Sequence, residues 1–162
     1  MVTVHGYAKI NLLLDILGLR ADGYHEIATV MQSLALADTL TLTKQEAGIT
    51  LTVDLPGLEA DERNLAHRAA TLLLKECRVN GGVHIRIEKR IPIAAGLAGG
   101  SADAAAALRG LNELYGLGLS DAELCRIGAQ IGSDVPFSLT GGTALATGRG
   151  EGLEHLPAAF DL

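Results

Sequence analysis

The chain has 162 residues, a length that suits one domain with a single hydrophobic core. Its formal net charge of −6 argues against general nucleic-acid binding, which needs a basic face. No apolar run reaches the ~18 residues of a membrane span, and the first ten residues have no apolar signal-peptide core. Cys77 and Cys125 lie in predicted helices without a metal or disulfide motif. We therefore expect a cytoplasmic protein with free thiols that contacts neither membrane nor nucleic acid.

The first third of the chain has the period-two pattern of β-strands. Residues 2–17 are predicted to form one strand or two joined strands, followed by strands at 27–36, 39–43 and Ile49–Val53, with Ala37-Asp38 as a break. Side chains in a strand repeat every two residues, so Tyr7, Lys9 and Asn11 are expected on one face. A lysine and an asparagine on an otherwise apolar strand fit either a solvated edge or the wall of a binding site.

A polar loop separates the first two predicted strands. Its glycines and its Asp-Gly pair indicate a turn. The loop is either a solvated turn or a surface that stacks on and hydrogen-bonds a planar polar ligand. Its polar and aromatic residues are Arg20, Asp22, Tyr24 and His25.

The rest of the chain alternates helices and strands. Asn64 is the predicted N-cap of a helix over Leu65–Glu76, and a strand over 83–89 follows it. Helices are predicted over 101–114 and, from the capping box Ser120-Asp121-Ala122-Glu123, over 121–130. The turn at 132–137 presents Asp134, and a last strand covers 141–146. This order predicts an α+β fold with helices on one side of a largely antiparallel sheet.

A glycine-rich loop lies between the strand at 83–89 and the alanine-rich helix. Gly96, Gly99 and Gly100 let the backbone approach a ligand, and the helix start that follows attracts anions. The loop matches neither the P-loop nor the dinucleotide-binding pattern. Phosphate binding is one interpretation, and a tight turn that packs the helix is the other. Lys89 and Arg90, just before the loop, are either solvated or beside a bound nucleotide, and Ser101 could be the N-cap of the helix.

Four motifs in order resemble those of the GHMP kinases, the superfamily of galactokinase, homoserine kinase and mevalonate kinase. Segment 92–102 resembles the phosphate-binding motif of that superfamily. Segments 8–12, 20–26 and 132–137 resemble the signatures of the 4-diphosphocytidyl-2-C-methyl-D-erythritol kinases of non-mevalonate isoprenoid biosynthesis. The resemblance implies a two-layer α+β sandwich like domain 2 of ribosomal protein S5. It implies transfer of the γ-phosphoryl of ATP to the 2-hydroxyl of a small molecule, the cytidine diphosphate-linked methylerythritol.

The resemblance also assigns roles to residues. Asp134 would accept the hydroxyl proton and Lys9 would keep that carboxylate ionised, which makes these two the catalytic residues. Asn11, Tyr24 and His25 would contact the substrate. Ser101 would also approach Mg²⁺, the expected metal. The ATP-binding residues would be Pro92, Ile93, Ala94, Ala95, Gly96, Leu97, Ala98, Gly99, Gly100, Ser101 and Ala102.

The length of the chain departs from the pattern of this family. Residues 1–157 would be the N-terminal, ATP-binding domain, and 158–162 would begin a C-terminal domain that is missing, so we expect a truncated form with low activity. Ala98 and Ala102 replace residues that are often Gly and Ser, a tolerable change because both are small. The alternatives are another GHMP kinase, against which Tyr24-His25 and the Lys9–Asn11 pair argue, and a non-catalytic S5-like module that binds RNA or protein, which should show a basic face.

Overall fold

The structure, a computed structural model, describes residues 1–19, 23, 25–58, 60–148 and 152–157. These residues form six strands in one mixed sheet and four helices. In chain order the elements are β1 (Val2–Leu19), β2 (His25–Gln45), β3 (Ile49–Val53), α1 (Leu65–Glu76), β4 (Gly82–Glu88), α2 (Gly99–Tyr115), α3 (Asp121–Gly128), α4 (Val135–Thr140), β5 (Thr143–Gly148) and β6 (Gly152–Leu156). The predicted α+β sandwich is confirmed.

The long strand β2 organises the sheet. It pairs with β1 along nearly its whole length, from Leu42 opposite Val2 to His25 opposite Leu19. β4 pairs with the second half of β2 and β5 with its first half, which gives the order β3-β4-β2-β5-β6 with β1 beside β2. Only the β3–β4 pair is parallel among the described strands. The largely antiparallel sheet is therefore as predicted.

The helices cover the sheet through an alanine-rich contact. In α2 the run Ala104–Ala107 is buried, so the helix backbone can lie close to its neighbours. Gly110 extends this contact, because a Cβ at that position would lie 2.6 Å from Leu42 Cδ1. Leucines, isoleucines and valines of β2, β4 and all four helices form most of the remaining core. In the described part of the chain, no helix combines the length and the apolar character needed to cross a membrane.

Irregularities in the β1–β2 ladder lie near the polar residues of β1. The register shifts between Tyr7 and Lys9 and again between Asn11 and Leu13.

The predicted break at Ala37-Asp38 is wrong, since β2 runs through it without interruption. Asp38 is tolerated inside the strand because its carboxylate accepts the backbone N–H groups of Arg90 and Ile91.

Several element ends differ from the predictions. α1 has the predicted bounds, with Asn64 accepting a hydrogen bond from the Ala66 N–H. α2 begins two residues early, after Ala98 in the left-handed conformation, so Ser101 is not the N-cap. The short helix α4 and the strand β6 were not predicted. α4 has six residues, one of them Pro136, and lies between glycines, which is a weak helical pattern.

The second half of β1 exposes its apolar side chains. Because β1 pairs only with β2 among the described strands, this half is an edge strand of the sheet, and β5 pairs with the other side of the same part of β2. Its exposed apolar residues are Leu12, Leu13, Leu14, Ile16, Leu17 and Leu19.

Candidate active site

Two residues from distant parts of the chain meet beside the glycine-rich loop. Lys9 on β1 places its Nζ 3.5 Å from Asp134 Oδ2. Lys9 is nearly buried, whereas the Asp134 side chain is 31% exposed and can meet a ligand. Asp134 is the N-cap residue of α4, but its side chain makes no capping hydrogen bond. The carboxylate is therefore available for Lys9 and for a ligand.

The Lys9 ammonium has a second partner on its own strand. Its Nζ donates to Asn11 Oδ1 at 2.6 Å. This contact shows that Lys9 and Asn11 share a face of β1, as the sequence predicts, despite the register shift just before Lys9. The ammonium is thus held between a neutral carbonyl oxygen and a carboxylate.

The glycine-rich loop lies directly against this strand. The backbone N–H of Lys9 donates to the carbonyl of Leu97 at 3.1 Å. Gly6 lies against the start of α2, where a Cβ on Gly6 would be 2.5 Å from the Ala102 carbonyl oxygen. Absence of a side chain at Gly6 therefore sets how closely the loop and the strand approach each other.

The backbone of the loop has the shape of an anion cradle. Ala94, Gly96 and Ala98 all have positive φ, between 56° and 75°. Gly99 and Gly100 open α2, where a Cβ would lie 3.3 Å from Lys89 Nζ and from Leu65 Cδ1, respectively. The loop leads into the N-terminus of a 17-residue helix, whose free N–H groups and dipole favour a negative charge.

A cavity of about 320 Å³ lies over the loop. Nine of the eleven residues predicted to bind ATP line it, from Pro92 to Gly100. Ser101 and Ala102 do not line it, and Ala102 is fully buried with Ala8 and Ile91. The other lining residues are Leu58, Arg63, Asn64, Leu65, Lys89, Ile91 and Asp103.

A buried charge cluster forms one wall of the cavity. Lys89 Nζ contacts Asp38 Oδ2 at 2.5 Å and Asp103 Oδ2 at 2.8 Å, and all three side chains are at most 5% exposed. The Lys89 side chain is therefore not solvated. Arg90, by contrast, is exposed. The sequence analysis did not find Asp38 and Asp103, because three segments far apart in the chain supply the cluster.

Two carboxylates share the single ammonium of this cluster. Burial raises the pKa of Asp103 to about 7, against the opposing attraction of Lys89. Burial alone would lower the pKa of Lys89, but the two aspartates outweigh it and raise that pKa. Among the described residues Asp103 Oδ1 is buried without a hydrogen-bond partner. A buried acceptor of this kind beside a glycine cradle fits a site built for a polar ligand.

These features belong to a known family. A family model for the GHMP kinases N terminal domain matches residues 64–142, which include the glycine-rich loop, α2 and Asp134. The chain carries the GHMP kinase N-terminal domain.

Curated relatives of this GHMP kinase domain share one name. The chain is 60% identical over 154 residues to a 4-diphosphocytidyl-2-C-methyl-D-erythritol kinase of Synechococcus sp. (strain JA-2-3B'a(2-13)), covering 95% of this chain and 50% of the relative. It is 56% identical over 158 residues to the protein of that name from Brevibacillus brevis, covering 97% and 54%. The chain thus spans about half the length of the curated relatives it matches.

Solved structures show the same fold. A crystal structure of 4-(cytidine 5'-diphospho)-2C-methyl-D-erythritol kinase superposes with a TM-score of 0.83 at 41% identity, covering 96% of this chain and 55% of that one. The Methanococcus jannaschii mevalonate kinase superposes with a TM-score of 0.75 at 14% identity, covering 99% and 57%. At such low identity the second likeness shows the fold alone.

Two of the residues predicted to contact substrate, Asn11 on β1 and His25 on β2, belong to the described part of the chain. Asn11 is exposed, although its carboxamide is hydrogen-bonded to Lys9 and Thr29. His25 is an exposed residue at the start of β2. Tyr24 lies outside the described residues, as do Arg20, Asp22 and 158–162.

Ser101 is the residue that the sequence analysis assigned to magnesium. It is partly buried in the first turn of α2, and a Cβ on Gly132 would lie 3.8 Å from its Oγ, so the hydroxyl faces the turn that carries Asp134. The described residues contain no cluster of three or more His, Cys, Asp or Glu side chains that could hold a metal. Mg²⁺ keeps several waters and readily binds through few protein ligands plus phosphates. A single hydroxyl beside a phosphate cradle fits that behaviour.

Proposed function

We propose that this domain binds ATP at the glycine-rich loop and transfers its γ-phosphoryl group to the 2-hydroxyl of 4-diphosphocytidyl-2-C-methyl-D-erythritol. The observation that carries the proposal is the distance of 3.5 Å between Lys9 Nζ and Asp134 Oδ2. Lys9 lies on β1, and its backbone N–H donates to the Leu97 carbonyl of the loop. The names of the relatives support the choice of substrate.

The loop would act by positioning the phosphates. Phosphoryl transfer depends mainly on orientation and on stabilisation of charge. The backbone between Ala94 and Gly100 offers close approach, and the start of α2 offers unpaired N–H groups to phosphate oxygens. The cavity beside Lys89 would take the rest of the nucleotide.

Asp134 would accept the proton of the attacking hydroxyl. Lys9 pairs with this carboxylate, with Nζ 3.5 Å from Oδ2. General-base catalysis of this kind contributes roughly 100- to 10,000-fold. Lys9 would also stabilise negative charge on the transferring group. Asn11, Tyr24 and His25 would contact the substrate.

Magnesium, when bound with the nucleotide, supplies neutralisation of the phosphate charges. We assign Ser101 Oγ as the protein hydroxyl that would approach it. Ser101 would then serve the metal and not the capping of α2, whose N-cap is Ala98 and which has no side-chain capping hydrogen bond.

Residues 1–157 would form the nucleotide-binding domain of a larger kinase. The relatives are about twice as long as the matched region, so we expect full activity to require the second half that they carry and low activity from these 162 residues alone. Cys77 and Cys125 are both free thiols, as is usual in the reducing cytoplasm, where we place the reaction.

The test is phosphorylation of 4-diphosphocytidyl-2-C-methyl-D-erythritol by ATP and Mg²⁺. The 162-residue chain is compared with the same chain extended by the C-terminal half of the Synechococcus relative. Activity in the extended chain and little in the short one supports the proposal. An inactive extended chain that phosphorylates mevalonate or a sugar would point to another GHMP kinase. An extended chain that neither binds ATP nor phosphorylates any of these substrates would support a binding module.

A further inference from the structure

Thr29 is a fully buried polar residue next to the Lys9 face of the sheet. It lies on β2 with 0% exposure. Its Oγ1 donates to the carbonyl of Leu13 at 2.6 Å and accepts from Asn11 Nδ2 at 2.6 Å. A buried hydroxyl normally finds such partners, because leaving one unpaired away from water destabilises the fold. Here both partners belong to the strand that carries Lys9.

These bonds form a chain with one possible direction. An ammonium can only donate a hydrogen bond, and a backbone carbonyl can only accept one. Lys9 at one end and the Leu13 carbonyl at the other therefore fix the orientation of the two groups between them. Asn11 must turn Oδ1 to Lys9 and its NH₂ to Thr29, and Thr29 must send its proton to Leu13.

An irregularity of the strand makes this arrangement possible. The β1–β2 register shifts between Asn11 and Leu13, so the ladder is disturbed where the Leu13 carbonyl meets Thr29. The hydroxyl thus joins the shifted backbone to the Asn11 carboxamide. Without it, the exposed carboxamide could rotate and turn its NH₂ toward the ammonium, which has no lone pair to accept it.

We propose that Thr29 is a positioning residue, which fixes the Asn11 carboxamide and through it holds the Lys9 ammonium opposite Asp134. Thr29 itself is buried and touches no substrate. The proposal rests on the proposed kinase function for its effect on rate, but the hydrogen-bond chain can be observed without turnover.

The variants are Thr29→Val, which keeps the shape and removes the hydroxyl, and Thr29→Ser, which restores it. Thr143→Val is the matched control. Thr143 is also a buried threonine of the sheet, and its hydroxyl donates to Gln32, whose side-chain amide donates to the Ser33 carbonyl. Thr143→Val thus tests the loss of a buried hydrogen bond away from the catalytic pair.

The first readout is the side-chain amide of Asn11 in the 162-residue chain, followed by NMR. We expect slow hydrogen exchange of this amide in the wild type, Thr29→Ser and Thr143→Val, and exchange at least tenfold faster in Thr29→Val. The second readout is turnover in the extended chain. We expect kcat to fall roughly 10- to 100-fold in Thr29→Val with KM for ATP within twofold, and to recover most of its value in Thr29→Ser.

Each outcome supports or overturns the positioning role of Thr29. An active wild type with unchanged kcat in Thr29→Val overturns the positioning role and leaves the kinase function standing. Equal losses of kcat in Thr29→Val and Thr143→Val also overturn it, since general destabilisation would then explain both. If the extended wild type is inactive, the proposed function fails, and the Asn11 amide alone decides the hydrogen-bond chain. Unchanged hydrogen exchange of the Asn11 side-chain amide in Thr29→Val overturns the hydrogen-bond chain as well.

Discussion

Lys9 and Asp134 lie 3.5 Å apart although one is on the first strand and the other precedes the last helix. We expect Asp134→Asn in the extended chain to lower kcat roughly 100- to 10,000-fold, because the proposed base is lost while the shape of the side chain is kept. KM for ATP should change little. The fold should persist, since the Asp134 side chain caps no helix. Steady-state kinetics measure kcat and KM, and thermal unfolding shows whether the fold persists.

The double variant Lys9→Met with Asp134→Asn checks whether the two residues act together. Groups that act as a unit are strongly non-additive, so the double variant should be little slower than the worse single variant. Losses that multiply would contradict a joint role, and full activity of Asp134→Asn would remove the general-base role.

The buried charge cluster should make stability depend on pH. The pKa of Asp103 is about 7 in the folded chain and near 3.8 when unfolded, so between these values only the folded state holds the proton. The free energy of unfolding therefore falls as pH rises from about 4 to about 7, by up to about 4 kcal/mol. The raised pKa of Lys89 acts only in the alkaline range, outside this window.

Urea unfolding of the wild type and Asp103→Asn at pH 4.5 to 8 measures this effect, and the variant should lose most of the decline. Asp61→Asn is the control. The hydrogen bonds from Arg63 lower the pKa of Asp61 at the surface, so titration of Asp61 can only raise stability as pH rises, and Asp61→Asn should keep the decline of the wild type. Parallel pH curves for the wild type and Asp103→Asn would contradict the prediction.

The contact of β1 with the start of α2 should tolerate no side chain at Gly6. A Cβ there would meet the Ala102 carbonyl at 2.5 Å, and backbone atoms cannot move aside without shifting the helix. We expect Gly6→Ala to lower the free energy of unfolding by about 1–3 kcal/mol and to weaken ATP binding. Gly18→Ala on the same strand, with nothing within 4 Å, should be neutral or slightly stabilising. Denaturant unfolding and calorimetric ATP titration compare the two.

The left-handed conformation at Ala98 predicts which substitutions the loop accepts. Ala98 has a φ of 56°, which glycine adopts freely and a β-branched residue strongly resists. Ala98→Gly should retain ATP affinity, whereas Ala98→Val should lower stability by about 1–3 kcal/mol and weaken ATP binding. Equal behaviour of the two variants would show that the conformation at this position does not shape the cradle.

Residue spacing and capping residues correctly predicted those strands and helices that depend on near neighbours in the sequence. The period-two strands and the capped helix α1 follow from spacing and from Asn64. The chemistry of Lys9 and Asp134 came from the resemblance, because strand spacing alone left Lys9 between a solvated edge and a site. The structure adds the distance between them.

Features that depend on distant parts of the chain were missed. Asp38 indicates a break by its residue type, yet it lies within β2 because two N–H groups from the segment before the loop bind its carboxylate. Ser101 is a favoured N-cap by type, but α2 starts earlier because Ala98 accepts a left-handed conformation that the sequence does not reveal. Thr29 gave no signal, since its role depends on a shifted register.

The hydrogen bond from the Lys9 N–H to the Leu97 carbonyl ties the glycine-rich loop to the strand that carries the ammonium. A loop tethered in this way cannot swing outward as a hinged cover without detaching the backbone of Lys9. If the loop binds a nucleotide as proposed, release of that nucleotide would need motion elsewhere, while the loop and Lys9 keep their spacing. Any change that displaces Leu97 should also displace the ammonium, so loop variants would be expected to alter catalysis and nucleotide affinity together.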